Sequence, residues 1–200
     1  MIKAILFDVD GVLAIGESFS KILAREQGIT KEMAAPFYRD QFYKCLIGEA
    51  DLKQELATYL PQWEWRGSID EFLHYWLTSE HVINQPLINA IQQLREQGIR
   101  CYIATNQEKY RTQYILEQMG FAEQFDGMFS SAHIGYMKNN NAFFEHVLRE
   151  LTSARAQEIL FWDDAVDNVA TAREVGLKAE VYSNFADFEQ KMREYFGISL

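Results

Sequence analysis

The chain has 200 residues, 48% of them hydrophobic, enough to bury the core of one ordinary domain or of a core with a modest insertion, which excludes disorder as the default. A formal net charge of -10 sets up an average field that repels phosphates. General attraction to nucleic acid or to an anionic membrane surface is thereby excluded, and a phosphate-bearing substrate needs a local site with its own cations.

The amino-terminal run from Met1 to Val12 carries a single lysine and soon meets Asp8 and Asp10, so it lacks the apolar length of a secretion signal. No other stretch approaches a membrane span. Cys45 and Cys101 are the only cysteines, too far apart for a disulfide scaffold and suited to a reducing interior. A cytoplasmic location is expected.

In chain order, the first strand is read over Ile2 to Phe7, an apolar run ended by acidic and turn residues. From about Ile15 to Ser79 the pattern is that of several amphipathic helices without a strand, far too long for a crossover connection. This stretch is read as a small helical insertion domain, leaving 1–14 and 80–200 as the core. Trp63, Trp65, Trp76, Phe37, Phe42 and Phe72 fall within it and are expected to fill its interior. A helix follows over Pro86 to Gln97, with Pro86 at a first-turn position, Leu87, Ile91 and Leu94 on one face and Gly98 as the stop. Further strands are read at Ile99 to Ala104, Gly127 to Ser130, Glu158 to Trp162 and Ala179 to Tyr182. The helix, glycine, strand order recurs around Gly120 and Gly176, as in right-handed crossovers of a parallel sheet covered on both faces. The expected fold class is α/β, a doubly wound, Rossmann-like parallel sheet with an all-helical insertion after the first strand.

In open parallel sheets, ligands bind beyond the carboxyl ends of the strands, and here those ends are polar. The first gives Asp8-Val9-Asp10-Gly11, with both carboxylates sent to one side by their i, i+2 spacing and Gly11 permitting a turn. The second gives Thr105-Asn106-Gln107 just before a helix, a hydroxyl and free backbone N–H groups suited to an anion. The fourth gives Asp163-Asp164, followed by Asp167-Asn168; adjacent carboxylates at the end of an apolar strand call for a hard cation. Lys138 lies between the second and fourth of these along the chain, a cation placed where a transferring phosphoryl group needs one.

Together these four pieces resemble the haloacid dehalogenase-like hydrolase superfamily, in its phosphatase branch, over nearly the whole chain. The family's Asp-x-Asp-Gly-x motif matches Asp8 to Val12, its strand-ending Thr or Ser matches Thr105, its lysine matches Lys138, and its acidic pair followed by Asp or Asn matches Asp163, Asp164 and Asn168. Family members commonly have proline after the lysine, whereas this chain has Asn139-Asn140-Asn141.

The resemblance implies that the helical insertion is a mobile cap and that the chain is a magnesium-dependent phosphohydrolase. Asp8 would attack phosphorus, and Asp10 would serve as acid and then base. Asp8 and Asp164 would bind Mg2+ through carboxylate oxygens and Asp10 through its carbonyl, with Asp163 direct or water-mediated. Thr105, Asn106 and Lys138 would hold the phosphate, with Asn168 and Asp167 supporting the acidic loop. A small phosphorylated metabolite, a sugar phosphate or nucleotide, is the expected partner, with no nucleic acid or membrane. A phosphosugar mutase is the alternative within the superfamily. Dehalogenases, which attack carbon, lack the second aspartate. A receiver-like signalling module has its acidic pair first in the chain, the reverse of the order here, and a catalytically silent binding protein is the remaining reading.

Overall fold

The structure, a computed structural model, describes residues 1–197; residues 198–200 of the expected core segment lie outside the described residues. Five parallel strands, β1 (Ala4–Phe7), β2 (Arg100–Thr105), β3 (Met128–Ser130), β4 (Ile159–Asp163) and β5 (Lys178–Val181), form a sheet in the order β3-β2-β1-β4-β5. The chain builds outward from β1 to β3, then returns to start again on the other side of β1. The order therefore reverses between β1 and β4, the place where such sheets open a crevice.

Strict alternation along the strands divides the core into two layers. Ile5, Phe7, Cys101, Ile103, Leu160 and Trp162 point to one face. There they pack against α6 (Gln85–Glu96), α7 (Lys109–Glu117), α8 (Phe121–Gln124) and α12 (Phe185–Phe196). Leu6, Tyr102, Ala104, Ile159 and Phe161 point to the other, against α10 (Asn141–Glu150) and α11 (Val166–Glu174). A single turn, α9 (Ser131–Ile134), follows β3. Burial on both faces explains why β4 reads as the continuous apolar run Ile159 to Trp162.

The segment between β1 and α6 is helical, as its periodicity requires. It contains α1 (Phe19–Gln27), α2 (Lys31–Pro36), a π-helical stretch Phe37–Phe42 that continues into α3 (Tyr43–Leu46), α4 (Leu52–Tyr59) and α5 (Ile69–Ser79). These helices enclose a separate core in which Phe37, Trp63, Phe72 and Trp76 are buried. A capping box at Ser68 and Glu71 starts α5, and Asp51 caps α4. The two connections to the sheet domain bond to each other, Ile15 N–H to Val82 O at 2.8 Å and Asn84 N–H to Leu13 O at 2.9 Å. The cap thus rises on a paired stalk beside the carboxyl end of β1. Among the described residues no helix is long and apolar enough to cross a membrane.

Candidate active site

Register places the acidic residues. Phe7 pairs with Trp162, so the next residue on each strand brings Asp8 beside Asp163 at the crevice between β1 and β4. Lys138 enters from the loop after α9 and is buried between them, its Nζ 2.5 Å from Asp8 Oδ1 and 2.6 Å from Asp163 Oδ2. Burial pulls the lysine's pKa down, but the two carboxylates more than offset it and hold Lys138 above its ordinary value. The Asn run that replaces the family's proline builds this loop. Asn140 closes a turn onto Met137 O and caps α10 through its side chain, which accepts from Ala142 N–H at 3.0 Å. Asn106 fixes the lysine's backbone, its side-chain oxygen accepting from Lys138 N–H at 2.9 Å.

Asp163 has its oxygens committed. Oδ1 accepts from Ala165 N–H at 2.8 Å and from Asn168 at 3.1 Å, while Oδ2 accepts from Lys138 and from Asn168 at 3.1 Å. Asp164 instead projects into the opening. A Cβ on Gly11 would collide with its Oδ2, and Gly11 adopts φ +82°, so both space and backbone call for glycine there. Thr105 Oγ1, at the end of β2, is buried in the same opening without a hydrogen-bond partner among the described residues.

Carboxylate oxygens of Asp8, Asp163 and Asp164 all lie within 4.8 Å of one another. One lysine is their nearest cation, and the imbalance is visible in Asp8. Burial pushes its carboxyl up, to about 7, with Lys138 pulling it back down and Asp163 adding to the rise. Burial and then Asp163 also push Asp164 up. Hard oxygen donors with uncompensated charge and an orphaned hydroxyl fit a divalent cation carrying a phosphate oxygen.

Asp10 belongs to a different cluster. Its carboxylate accepts from Gln107 Nε2 at 2.6 Å and from Arg111 Nη2 at 3.0 Å, in the same opening as Asp8 and Asp164. Arg111 is buried, and its Nη1 lies 3.3 Å from Glu80 Oε2 at the end of α5. Glu80 also accepts from Phe19 N–H and from Trp76 Nε1, both at 3.1 Å, which ties it to two cap helices. Gln107, Arg111 and Glu80 were not singled out by the sequence. Gln107 lies in the loop before α7 and Arg111 in its first turn, so no helical periodicity pairs them and no local pattern marked either. Of the residues expected at the site, Asp167 alone stays apart, exposed in the first turn of α11, where its charge complements the helix terminus.

A model of the haloacid dehalogenase-like hydrolases matches residues 2–176. The chain is 33% identical over 91 residues to sesquiterpene phosphatase astK of Aspergillus oryzae, covering 46% of each chain. It is 24% identical over 190 residues to the GMP/IMP nucleotidase YrfG of Escherichia coli, covering 88% of this chain and 81% of that one. With drimenol cyclase drtB of Aspergillus calidoustus it shares 27% identity over 110 residues, 55% of this chain. The chain thus spans 21% of the length of drtB and 46% of that of astK. A solved structure of the HAD family enzyme bt-2542 from Bacteroides thetaiotaomicron, complexed with magnesium and inorganic phosphate, has the same fold. Its TM-score is 0.80 at 17% identity, over 94% of this chain and 99% of that one. With the family model spanning sheet and insertion alike, the crevice at the β1–β4 switch is that of a haloacid dehalogenase-like hydrolase, the family to which this chain belongs.

Proposed function

We propose that this hydrolase cleaves small phosphomonoesters through an aspartyl phosphate on Asp8. The observation that carries the reading is the bridge of Lys138 between Asp8 and Asp163, with the unpartnered Thr105 hydroxyl and Asp164 facing the same opening. A nucleophilic carboxylate and a phosphate dianion repel each other, so such a site must supply positive charge on both sides of the reacting phosphorus. Lys138 supplies one side. Magnesium, held by Asp8, Asp164 and the Asp10 carbonyl, would supply the other as a Lewis acid. Both oxygens of Asp163 already accept protein donors, so its part is to orient Lys138, and a metal would meet it more readily through water than directly.

In the first half-reaction an Asp8 oxygen forms a bond to phosphorus, the bond from phosphorus to the ester oxygen breaks, and Asp10 gives that oxygen its proton. In the second, Asp10 takes a proton from water as the water oxygen attacks phosphorus, and Asp8 leaves as a carboxylate with inorganic phosphate. The Thr105 hydroxyl, the Asn106 N–H and Lys138 hold the phosphate oxygens throughout. A nucleotidase and a sesquiterpene phosphatase among the similar proteins agree with monoester hydrolysis of a small phosphorylated metabolite. The test is turnover of p-nitrophenyl phosphate with magnesium. Activity abolished by EDTA and absent in Asp8→Asn is expected; magnesium-independent turnover, or an active Asp8→Asn, would refute the reading.

A further inference from the structure

A second cavity, of about 230 Å3, opens from the one around Asp8 and runs between cap and core. Asp10, Ser18, Glu80 and Asn106 line both, so the joint lies where the ester oxygen of a phosphate on Asp8 would emerge. Its cap wall is largely apolar, and its core wall carries Asp10, Asn106, Gln107, Glu108 and Arg111. Phe19, Tyr38, Phe42, Leu46, Trp76 and Leu77 face it, with the Phe19 and Trp76 rings stacked at 4.8 Å.

Many of the polar groups of that lining are engaged by the protein itself, although Arg111 Nε and Nη1 make no hydrogen bond among the described residues, Nη1 lying 3.3 Å from Glu80 Oε2. Gln107 and Arg111 are held by Asp10, and Glu80 by Phe19 N–H and Trp76. Glu108 caps α7 through Tyr110 and Arg111 N–H. Ser18 and Ser20 hydroxyls lie 3.4 Å from each other. A sugar or nucleoside placed here would surrender several hydrogen bonds to water and find few replacements, whereas a hydrocarbon gains by burial.

Resting on the phosphomonoesterase reading above, we infer that the leaving group is the alcohol of a long hydrophobic monophosphate, alkyl or prenyl, whose chain occupies this cavity. The inference narrows the small phosphorylated metabolites to those with an apolar body. At about 30 Å3 per methylene-sized group, the space holds on the order of eight carbons.

The experiment is a kcat/KM series on straight-chain alkyl monophosphates from ethyl to decyl, below their micellar concentrations, with geranyl monophosphate, glucose 6-phosphate, GMP and p-nitrophenyl phosphate alongside. A rise of about threefold to fourfold per methylene up to about eight carbons, followed by a plateau, is expected. Octyl and geranyl monophosphates should then exceed glucose 6-phosphate and GMP by about a hundredfold or more. The order of octyl and geranyl tells straight from branched chains, and either order supports the inference. A flat series, or glucose 6-phosphate or GMP outrunning octyl phosphate while p-nitrophenyl phosphate is hydrolysed, overturns it and leaves the phosphatase reading intact. No turnover of any ester, the aryl phosphate included, overturns both. Leu46 and Leu77 line the cavity but lie outside the buried cluster of the cap. Leu46→Gln and Leu77→Gln should each cut the octyl-to-ethyl ratio by about tenfold, and a ratio unmoved in both would also overturn the inference.

Discussion

Two carboxylate clusters share one opening and are built in opposite ways. The cluster around Asp8 uses only the sheet domain: strand register sets Asp8 beside Asp163, and a buried lysine joins them. The cluster around Asp10 reaches the boundary of the two parts, with Gln107 and Arg111 from the core and Glu80, the residue that ends α5, where the insertion returns to the core. Arg111 thus links Asp10 to the end of α5, whereas among the described residues the Asp8 bridge makes no hydrogen bond or ion pair with the cap helices. On the proposed mechanism the nucleophile would be set by the sheet domain alone, and the acid by contacts that reach the end of α5.

The strongest break falls on the first cluster. Asp8→Asn should lower turnover by at least about a thousandfold, because an amide neither attacks phosphorus nor offers a full charge to magnesium. Purified protein with unchanged circular dichroism provides the check. Lys138→Ala should be the most destabilising single change at the site. It leaves Asp8 and Asp163 buried without their cation, at a cost of about 3–5 kcal/mol in metal-free buffer. Added magnesium should recover more of the melting temperature in this variant than in the parent, as thermal melts with and without the ion would show.

Changes in the second cluster should be smaller and should depend on the leaving group. Arg111→Ala is expected to cost about 2 kcal/mol of stability, less than for a fully buried pair, because the half-exposed Asp10 can rehydrate. Its turnover of alkyl phosphates should fall more than its turnover of p-nitrophenyl phosphate, since a poor leaving group depends more on a well-placed acid. Equal losses on the two substrates would separate Arg111 from the chemistry of Asp10.

The smallest effect is expected at the far contact between cap and core. There the Tyr110 hydroxyl donates to Asp51 Oδ2 at 2.9 Å beside the ion pair of Asp51 with Lys109. Tyr110→Phe should cost about 1 kcal/mol and raise KM more than it lowers kcat, because it loosens closure without touching the reacting groups.

The same division explains what could be read from the sequence. Strand ends in a parallel sheet converge by topology, so Asp8, Thr105 and Asp163 could be placed near one another from apolar runs and their last residues alone. Lys138 needed the family pattern, since nothing local distinguishes it from a surface lysine. Arg111 gave no such signal: α7 is weakly amphipathic, and its arginine is buried between Asp10 of the core and Glu80 at the end of α5. Glu80 likewise reads as the exposed end of a helix until Phe19 and Trp76 are seen to close on it. Contacts between separately folded layers depend on packing that one chain's periodicity does not encode. The stalk is intermediate: Gly11 marked a turn, but the pairing of Ile15 with Val82 could not be read.

The central claim is that the phosphoryl group rests on Asp8 during turnover. The most direct measurement is borohydride reduction during steady-state hydrolysis with magnesium, followed by peptide mass spectrometry, since an acyl phosphate is reduced to the alcohol whereas a free carboxylate is not. Homoserine at position 8, dependent on both substrate and magnesium and absent elsewhere in the chain, is the predicted result. Homoserine at another aspartate, or a phosphorylated side chain other than Asp8 in a rapidly quenched sample, would contradict it.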